Sequence, residues 1–243
     1  MDAAPSVGRV GVVLPSVNTV VEPFFAATLP AGLTVHAQRM PIGPDATAAA
    51  VERMDAHGRA AVRVLADCRP DAILYACTAS GLVRGRDHDL AVVRELTELT
   101  GIPCLSGIDA VVRALRAVGA RRLTIASPYV PEIDHMEVAY FESAGFTVAG
   151  SRSLGIADTY ELATLASAEI AALAREAWQP GSDALYLACL NVHSHEVIAE
   201  LEAELGVPVV SATQAALWAV LTELGVTAAA PGYGRLLAEG VAT

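Results

Sequence analysis

Seven short segments rich in apolar and β-branched residues punctuate this chain of 243 residues as strand candidates: Val7–Leu14, Leu33–Gln38, Ala72–Ala76, Leu123–Ala126, Thr147–Gly150, Ala184–Ala188 and Val207–Val210. The continuous apolar runs among them, Ala72–Ala76 and Ala184–Ala188, are bounded by turn signals and suit strands buried on both faces, as in a parallel sheet. Between them apolar residues recur at helical spacing over Thr47–Asp67, Asp87–Thr100, Asp109–Val118, Pro131–Ser143, Thr159–Trp178, His193–Leu205 and Thr213–Leu224. Gly101, Gly119, Gly145, Gly206 and Gly225 each follow a predicted helix, where a left-handed residue ends it cleanly. Strands alternating with helices predict an α/β fold with parallel sheets.

The pattern also repeats. Asp71-Ala72-Ile73-Leu74-Tyr75-Ala76-Cys77 reads almost as Asp183-Ala184-Leu185-Tyr186-Leu187-Ala188-Cys189, at an offset of 112 residues. Arg9-Val10-Gly11-Val12-Val13-Leu14-Pro15 is echoed at an offset of 113 by Arg122-Leu123-Thr124-Ile125-Ala126-Ser127-Pro128. Gly101-Ile102-Pro103 returns as Gly206-Val207-Pro208, offset by 105. Matched Pro, Cys and Gly-x-Pro positions in one order argue for a duplicated α/β unit, with too long a period for a solenoid. The halves meet near Asp109, and the last helix is expected to cross back to the first half.

Composition narrows the class. Hydrophobic residues make up 53% and charged residues 18%, ample for a core, yet no apolar run nears the roughly 18 residues of a membrane span. Met1-Asp2-Ala3-Ala4-Pro5 has neither the basic nor the apolar region of a signal peptide, so a cytoplasmic setting is expected. A net charge of −11 disfavours nucleic acid and anionic membranes as partners, while leaving an anionic small molecule open. Four cysteines without a CxxC pair suggest reduced thiols, with no zinc site.

The repeated cysteines are the first candidates for chemistry. Ligands of open α/β sheets bind beyond the carboxyl ends of strands, where Cys77 and Cys189 are both expected, just ahead of helices. Two opposed thiols suit proton transfer on both sides of a carbon, or one thiol attacking carbon while the other handles a proton. Cys68, at a helix end, and Cys104, in an apolar strand, read as packing residues. The loop Pro15-Ser16-Val17-Asn18-Thr19 falls at the same sheet edge. Ser16, Asn18 and Thr19 there suit a carboxylate, or equally an ordinary helix cap. Tyr129 follows the matching strand of the second half, where a phenol can donate to a developing oxyanion. Thr78 and Ser80, with Asn191 and the amides around Leu190, can form an anion nest. His193 and His195 read as exposed residues at a helix start, and Arg84 and Arg86 as solvated surface.

Together these segments resemble the aspartate/glutamate racemase superfamily, in its maleate isomerase and arylmalonate decarboxylase branch. The resemblance spans essentially the whole chain. It rests on Val13-Leu14-Pro15-Ser16-Val17-Asn18-Thr19, Tyr75-Ala76-Cys77-Thr78, Ser127-Pro128-Tyr129, Ser153-Leu154-Gly155-Ile156, Ala188-Cys189 and Pro231-Gly232-Tyr233-Gly234-Arg235-Leu236. The decarboxylases are expected to keep only the second thiol, so Cys77 favours an isomerase. Amino-acid racemases carry Ala-Cys-Asn-Thr and Cys-Thr-His where this chain has Ala-Cys-Thr-Ala and Cys-Leu-Asn, which argues against a free amino acid as substrate. The resemblance implies two pseudo-symmetric flavodoxin-like lobes, 1–110 and 111–213, with 214–243 packing back on the first and the active site in the cleft between them. It implies cofactor-free chemistry on a small carboxylate. Cys77 would form a covalent adduct with maleate or a related unsaturated acid, and Cys189 would act as acid and base. Ser16, Asn18, Thr78, Tyr129, Thr159, Leu190 and Asn191 would bind substrate. Thr159 stands where a maleate isomerase would lead one to expect a carboxylate-binding Asn, which leaves the substrate open. The alternatives are a racemase or decarboxylase of an α-substituted, arylmalonate-like acid and, in another class, a non-catalytic two-lobed carboxylate binder. Homo-oligomerisation is compatible with each.

Overall fold

The structure, a computed structural model, describes residues 8–227 and 230–238. Val7, the predicted start of the first strand, and residues 239–243 lie outside that range. Strands β1 (Gly8–Pro15), β2 (Leu33–Met40), β3 (Ala72–Tyr75) and β4 (Cys104–Ser106) form one parallel sheet in the order β2-β1-β3-β4. Strands β5 (Arg122–Ser127), β6 (Thr147–Ser153), β7 (Ala184–Leu187) and β8 (Val209–Ser211) form a second, in the matching order β6-β5-β7-β8. The two-lobed α/β architecture is the one expected. β3 and β7 are buried along their whole length, which is why both read as unbroken apolar runs.

The repeated polar residues have repeated jobs. Asp71 accepts a hydrogen bond from the Arg9 N–H at 2.7 Å, and Asp183 accepts from the Arg122 N–H at 2.9 Å. Each aspartate thus ties the foot of one central strand to its neighbour. Gly101 and Gly206 end their helices with φ of 71° and 73°, a left-handed conformation that costs a glycine little.

Helices α1 (Val21–Thr28), α2 (Ala48–Asp55), α3 (Gly58–Ala66), α4 (Thr78–Arg84) and α5 (Arg86–Thr100) surround the first sheet. Helix α6 (Gly107–Ala117) leads into the second lobe, followed by α7 (Pro131–Ser143), α8 (Ser167–Ala177) and α9 (Ile198–Leu205). The chain then runs through α10 (Ala212–Glu223) and the short α11 (Arg235–Ala238). Helix α10 packs on α6 and touches both β8 and the first-lobe elements β3 and α1. Residues Ala212–Leu221 are accordingly buried on every face.

Three predicted helices differ in the structure. The helix expected over Thr47–Asp67 breaks between α2 and α3, where Gly58 packs so close to Tyr75 that a Cβ would lie 2.3 Å from the phenol oxygen. The first part of Thr159–Trp178 is loop and a single 3-10 turn, because Thr159 and Asp158 pair with the first-lobe loop at Pro44 and Asp45. His193–Leu205 begins as a 3-10 turn with His195 buried rather than exposed, its ring centroid 4.3 Å from that of Phe24. α1 and α4 are the short helices that follow the loops after β1 and β3; a helix start is expected at each from the sequence, without a range. Among the described residues no helix is long and apolar enough to cross a membrane.

Candidate active site

Each sheet reverses its strand order at its centre, between β1 and β3 and between β5 and β7. A crevice opens beyond the carboxyl ends of such strands because their connections leave on opposite faces. Here the loops after β1 and β3 meet those after β5 and β7, and enclose a cavity of about 70 Å³. Cys77 and Cys189 both line it, with Asn18, Thr78, Tyr129, Thr159, Leu190 and Asn191. The rest of the wall is largely apolar and includes Val17, Ile42, Val51, Ile133 and Leu162. Ser16 does not line it. That residue is exposed, and its hydroxyl pairs with the backbone N–H and carbonyl of Ile42, holding the loop after β1 to the loop after β2.

The cysteines occupy unlike backbone settings. Cys77 is extended (φ −140°, ψ 107°) and is the residue from which α4 starts. Cys189 was also expected ahead of a helix; instead it adopts a left-handed φ of 77° and is followed by turns. Such a conformation costs a side-chain-bearing residue about 1–3 kcal/mol and is most often kept at sites of function. It folds the chain back so that the Asn191 N–H points at the Cys189 sulfur, 3.3 Å away. Burial pushes the Cys77 thiol up to about 12, and the Asp55 charge adds to the shift while Ser80 opposes it. Burial also raises the Cys189 thiol, to about 11, against the Asn191 N–H and the Tyr129 hydroxyl, which favour its thiolate. Both sulfurs therefore carry protons at neutral pH.

The polar residues join the lobes. The Tyr129 and Thr78 hydroxyls share a hydrogen bond of 2.7 Å across the cleft. Asn18 donates from Nδ2 to the Leu190 carbonyl at 3.1 Å, and its Oδ1 accepts from the Val20 and Val21 N–H groups. Asn191 Oδ1 accepts from the Thr19 N–H at 3.0 Å. Thr159 is placed in the wall, but its hydroxyl donates to the Gly43 carbonyl at 2.8 Å, so that proton is turned away from any ligand. The expected substrate-binding donor is thus a clasp between loops of the two lobes.

Two acids near the site, one half-buried and one buried, went unanticipated. Asp55, at the end of α2, accepts hydrogen bonds from the Ser80 hydroxyl and, at 2.9 Å, from the Tyr75 phenol. Glu137 in α7 is fully buried and its oxygens have no hydrogen-bond partner. Burial drives its carboxyl well above the ordinary range, which favours the protonated acid, close to Tyr129, Tyr186 and Cys189. The signal for Glu137 was present in the helical spacing: it falls in register with Ile133, Tyr140 and Phe141, on the face that packs inward.

The chain and its fold are similar to those of known proteins. The chain matches the model of the arylmalonate decarboxylase family over residues 10–237. It is 34% identical to the maleate isomerase of Nocardia farcinica over 244 residues, covering 95% of this chain and 96% of that one. It is 35% identical to the arylmalonate decarboxylase of Bordetella bronchiseptica over 165 residues, 67% of this chain and 69% of the other. The structure is also similar to that of a Nocardia farcinica maleate cis-trans isomerase variant with a covalently bound succinylcysteine intermediate. The TM-score is 0.89 at 30% identity, over 95% of this chain and 98% of that one. Two matched lobes, a thiol from each, the family match over residues 10–237 and the similarity to both kinds of enzyme place this chain in the arylmalonate decarboxylase/maleate isomerase family of the aspartate/glutamate racemase superfamily.

Proposed function

We propose that this protein is a cofactor-independent isomerase that converts maleate, or a closely related cis-unsaturated dicarboxylate, to its trans isomer. The observation that carries the reading is the pair of thiols, Cys77 and Cys189, lining one small cavity. In the proposed reaction the Cys77 thiolate adds to one alkene carbon, and the π electrons move into the neighbouring carboxylate as an enediolate. The carbon–carbon bond is then single and turns. Cys189, a thiol at neutral pH, gives its proton to the second carbon and later removes it. The returning electron pair restores the double bond as the carbon–sulfur bond breaks and the trans product leaves. The succinylcysteine named in the Nocardia farcinica structure is the protonated adduct of this scheme. The Tyr129–Thr78 pair, the remaining Asn18 amide hydrogen and the amides around Leu190 and Asn191 are neutral donors for the two carboxylates. Neutral donors stabilise developing charge without a fixed ion pair that rotation would break.

A decarboxylase of arylmalonates is the second reading, favoured by the family match and by the apolar wall around Ile42 and Ile133. The small volume and the presence of Cys77 favour the four-carbon diacid. Proton NMR in deuterium oxide with maleate, other cis-enoates and arylmalonates tests both. The expected result is fumarate from maleate, lost in Cys77→Gly and in Cys189→Ser. Decarboxylation that survives Cys77→Gly would replace the isomerase by the second reading, and no turnover of any of these acids would refute both.

A further inference from the structure

His193, His195 and Glu196 take no part in the reaction proposed above, yet the fold gathers them. Two positions apart on an α-helix, the histidines would point to different faces. The chain instead makes a 3-10 turn over Ser194–Glu196, preceded by His193 at φ −72° and ψ 36°. Side chains three apart in such a turn lie one above the other, so His193 and Glu196 share a side, with His193 Nδ1 3.7 Å from Glu196 Oε1. The His195 ring lies 5.8 Å from the His193 ring, centroid to centroid. One donor atom from each of the three residues falls within 4.8 Å of the other two.

Neighbouring groups hold two of these side chains in place. The Ser167 hydroxyl, at the start of α8, donates to Glu196 Oε2 at 2.5 Å and leaves Oε1 on the His193 side. Thr213 of α10 places its hydroxyl 3.4 Å from His195 Nδ1, and the His195 ring packs against Phe24 and Tyr233. Outer contacts of this kind orient the ligands of a metal ion. His195 is buried, Glu196 is exposed and His193 is partly exposed, which gives a fixed inner ligand and a path from solvent. Burial also lowers His195 to about 4, so at neutral pH its ring is in the neutral form that a metal takes.

We propose that His193, His195 and Glu196 form a binding site for one divalent transition-metal ion of the zinc class, which ties the segment after Cys189 to α8 and α10. Two imidazoles and a carboxylate suit Zn²⁺ or Co²⁺ rather than Mg²⁺ or Ca²⁺, which take oxygen ligands. Donors about 2.0–2.2 Å from one ion stand about 3–3.5 Å apart, so the three must close up. Rotation of the Glu196 and His193 side chains does this around a stationary His195, and water takes the remaining positions on the ion. The segment between Cys189 and the turn carries Leu190 and Asn191, which pair with Asn18 and Thr19 of the first lobe, so the ion braces a loop that joins the lobes.

Cobalt(II) is the probe, added to untagged protein freed of metal by a chelator. The rival ligands are the thiols of Cys77 and Cys189, and sulfur bound to Co²⁺ gives an intense near-ultraviolet charge-transfer band that nitrogen and oxygen donors lack. The expected result is one Co²⁺ per chain, with visible ligand-field bands and no sulfur band, displaced by Zn²⁺. His193→Gln and Glu196→Gln should each weaken binding at least about tenfold. Zn²⁺ should raise the thermal unfolding midpoint of the unaltered chain more than that of either variant. No saturable binding, a sulfur band on the tightly held ion, or an unchanged affinity in either variant overturns the proposal. Glu196→Gln keeps the shape of an exposed side chain, so it alone decides the matter should His193→Gln not fold. None of these measurements involves turnover, so the site stands or falls apart from the isomerisation.

Discussion

Replacing Glu137 by Gln should flatten part of the pH dependence of stability, in a direction the structure fixes. The carboxyl is fully buried without a hydrogen-bond partner, so the fold holds it protonated, whereas the unfolded chain releases that proton near the ordinary value of 4.5. The raised folded value means that the contribution is fully present below pH 4.5 and is lost as pH rises towards the folded value. One proton corresponds to a slope of at most about 1.4 kcal/mol per pH unit, reached between the ordinary value and the raised folded one. A glutamine side chain at this position has a similar shape and no proton to lose. Urea unfolding of the protein and of Glu137→Gln at several pH values between mild acid and mild alkali measures the difference. A constant offset reports packing; the slope reports the proton. The expected result is a stability difference that moves in favour of the variant as pH rises, by up to about 1.4 kcal/mol per pH unit. Two parallel curves over that range would refute the reasoning, because they would mean that Glu137 titrates alike in both states.

Three other outcomes follow from the same geometry. His195 shows the opposite slope: burial lowers it to about 4 from 6.5, against the nearby Glu196 charge and with that of His193. Its contribution is therefore present above pH 6.5 and lost as pH falls towards 4. Relative to His195→Gln, acidification across this window should cost the unaltered protein about 2–3 kcal/mol in urea unfolding, and an opposite slope would exclude a neutral buried ring. Tyr129→Phe leaves the Thr78 hydroxyl buried and unpaired, for an expected loss of about 1–2 kcal/mol in thermal or urea unfolding. If the proposed isomerisation holds, the same change should lower kcat about a hundredfold with a smaller change in KM, in the NMR assay. Thr159→Val removes the hydrogen bond to the Gly43 carbonyl and should raise KM while costing about 1 kcal/mol of stability. An unaltered KM would show that this clasp does not shape the cavity.

Much of the architecture was legible because it is encoded locally and twice. An apolar run between turn residues makes a buried strand wherever it stands, and Asp71 and Asp183 precede such strands because each fastens the start of the neighbouring one. The position of Cys77 and Cys189 beyond β3 and β7 follows from strand order, and with it their place in one cavity. The helix boundaries that failed are those set by distant partners. Gly58 makes room for a tyrosine 17 positions further on, and the loop at Thr159 is held open by residues from the other lobe.

What the sequence determined by itself, then, is the set of elements, their duplication and the residue types at the strand ends, since these depend on spacing along a few turns or strands. The tertiary structure alone decided which donors face the cavity. Ser16 and Thr159 have the right chemistry and adjacent positions, yet one hydroxyl pairs with Ile42 and the other with Gly43. Asn18 and Leu190 meet across 172 residues of chain, and Asp55 reaches Ser80 across 25. A hydroxyl or a carboxylate can serve many partners; only the docking of the two lobes, driven by burial of their apolar faces, selects among them. The two cysteines were found from a repeat, but the unlike surroundings that separate them come from the fold: a left-handed turn for Cys189, and an extended residue at the start of α4 for Cys77.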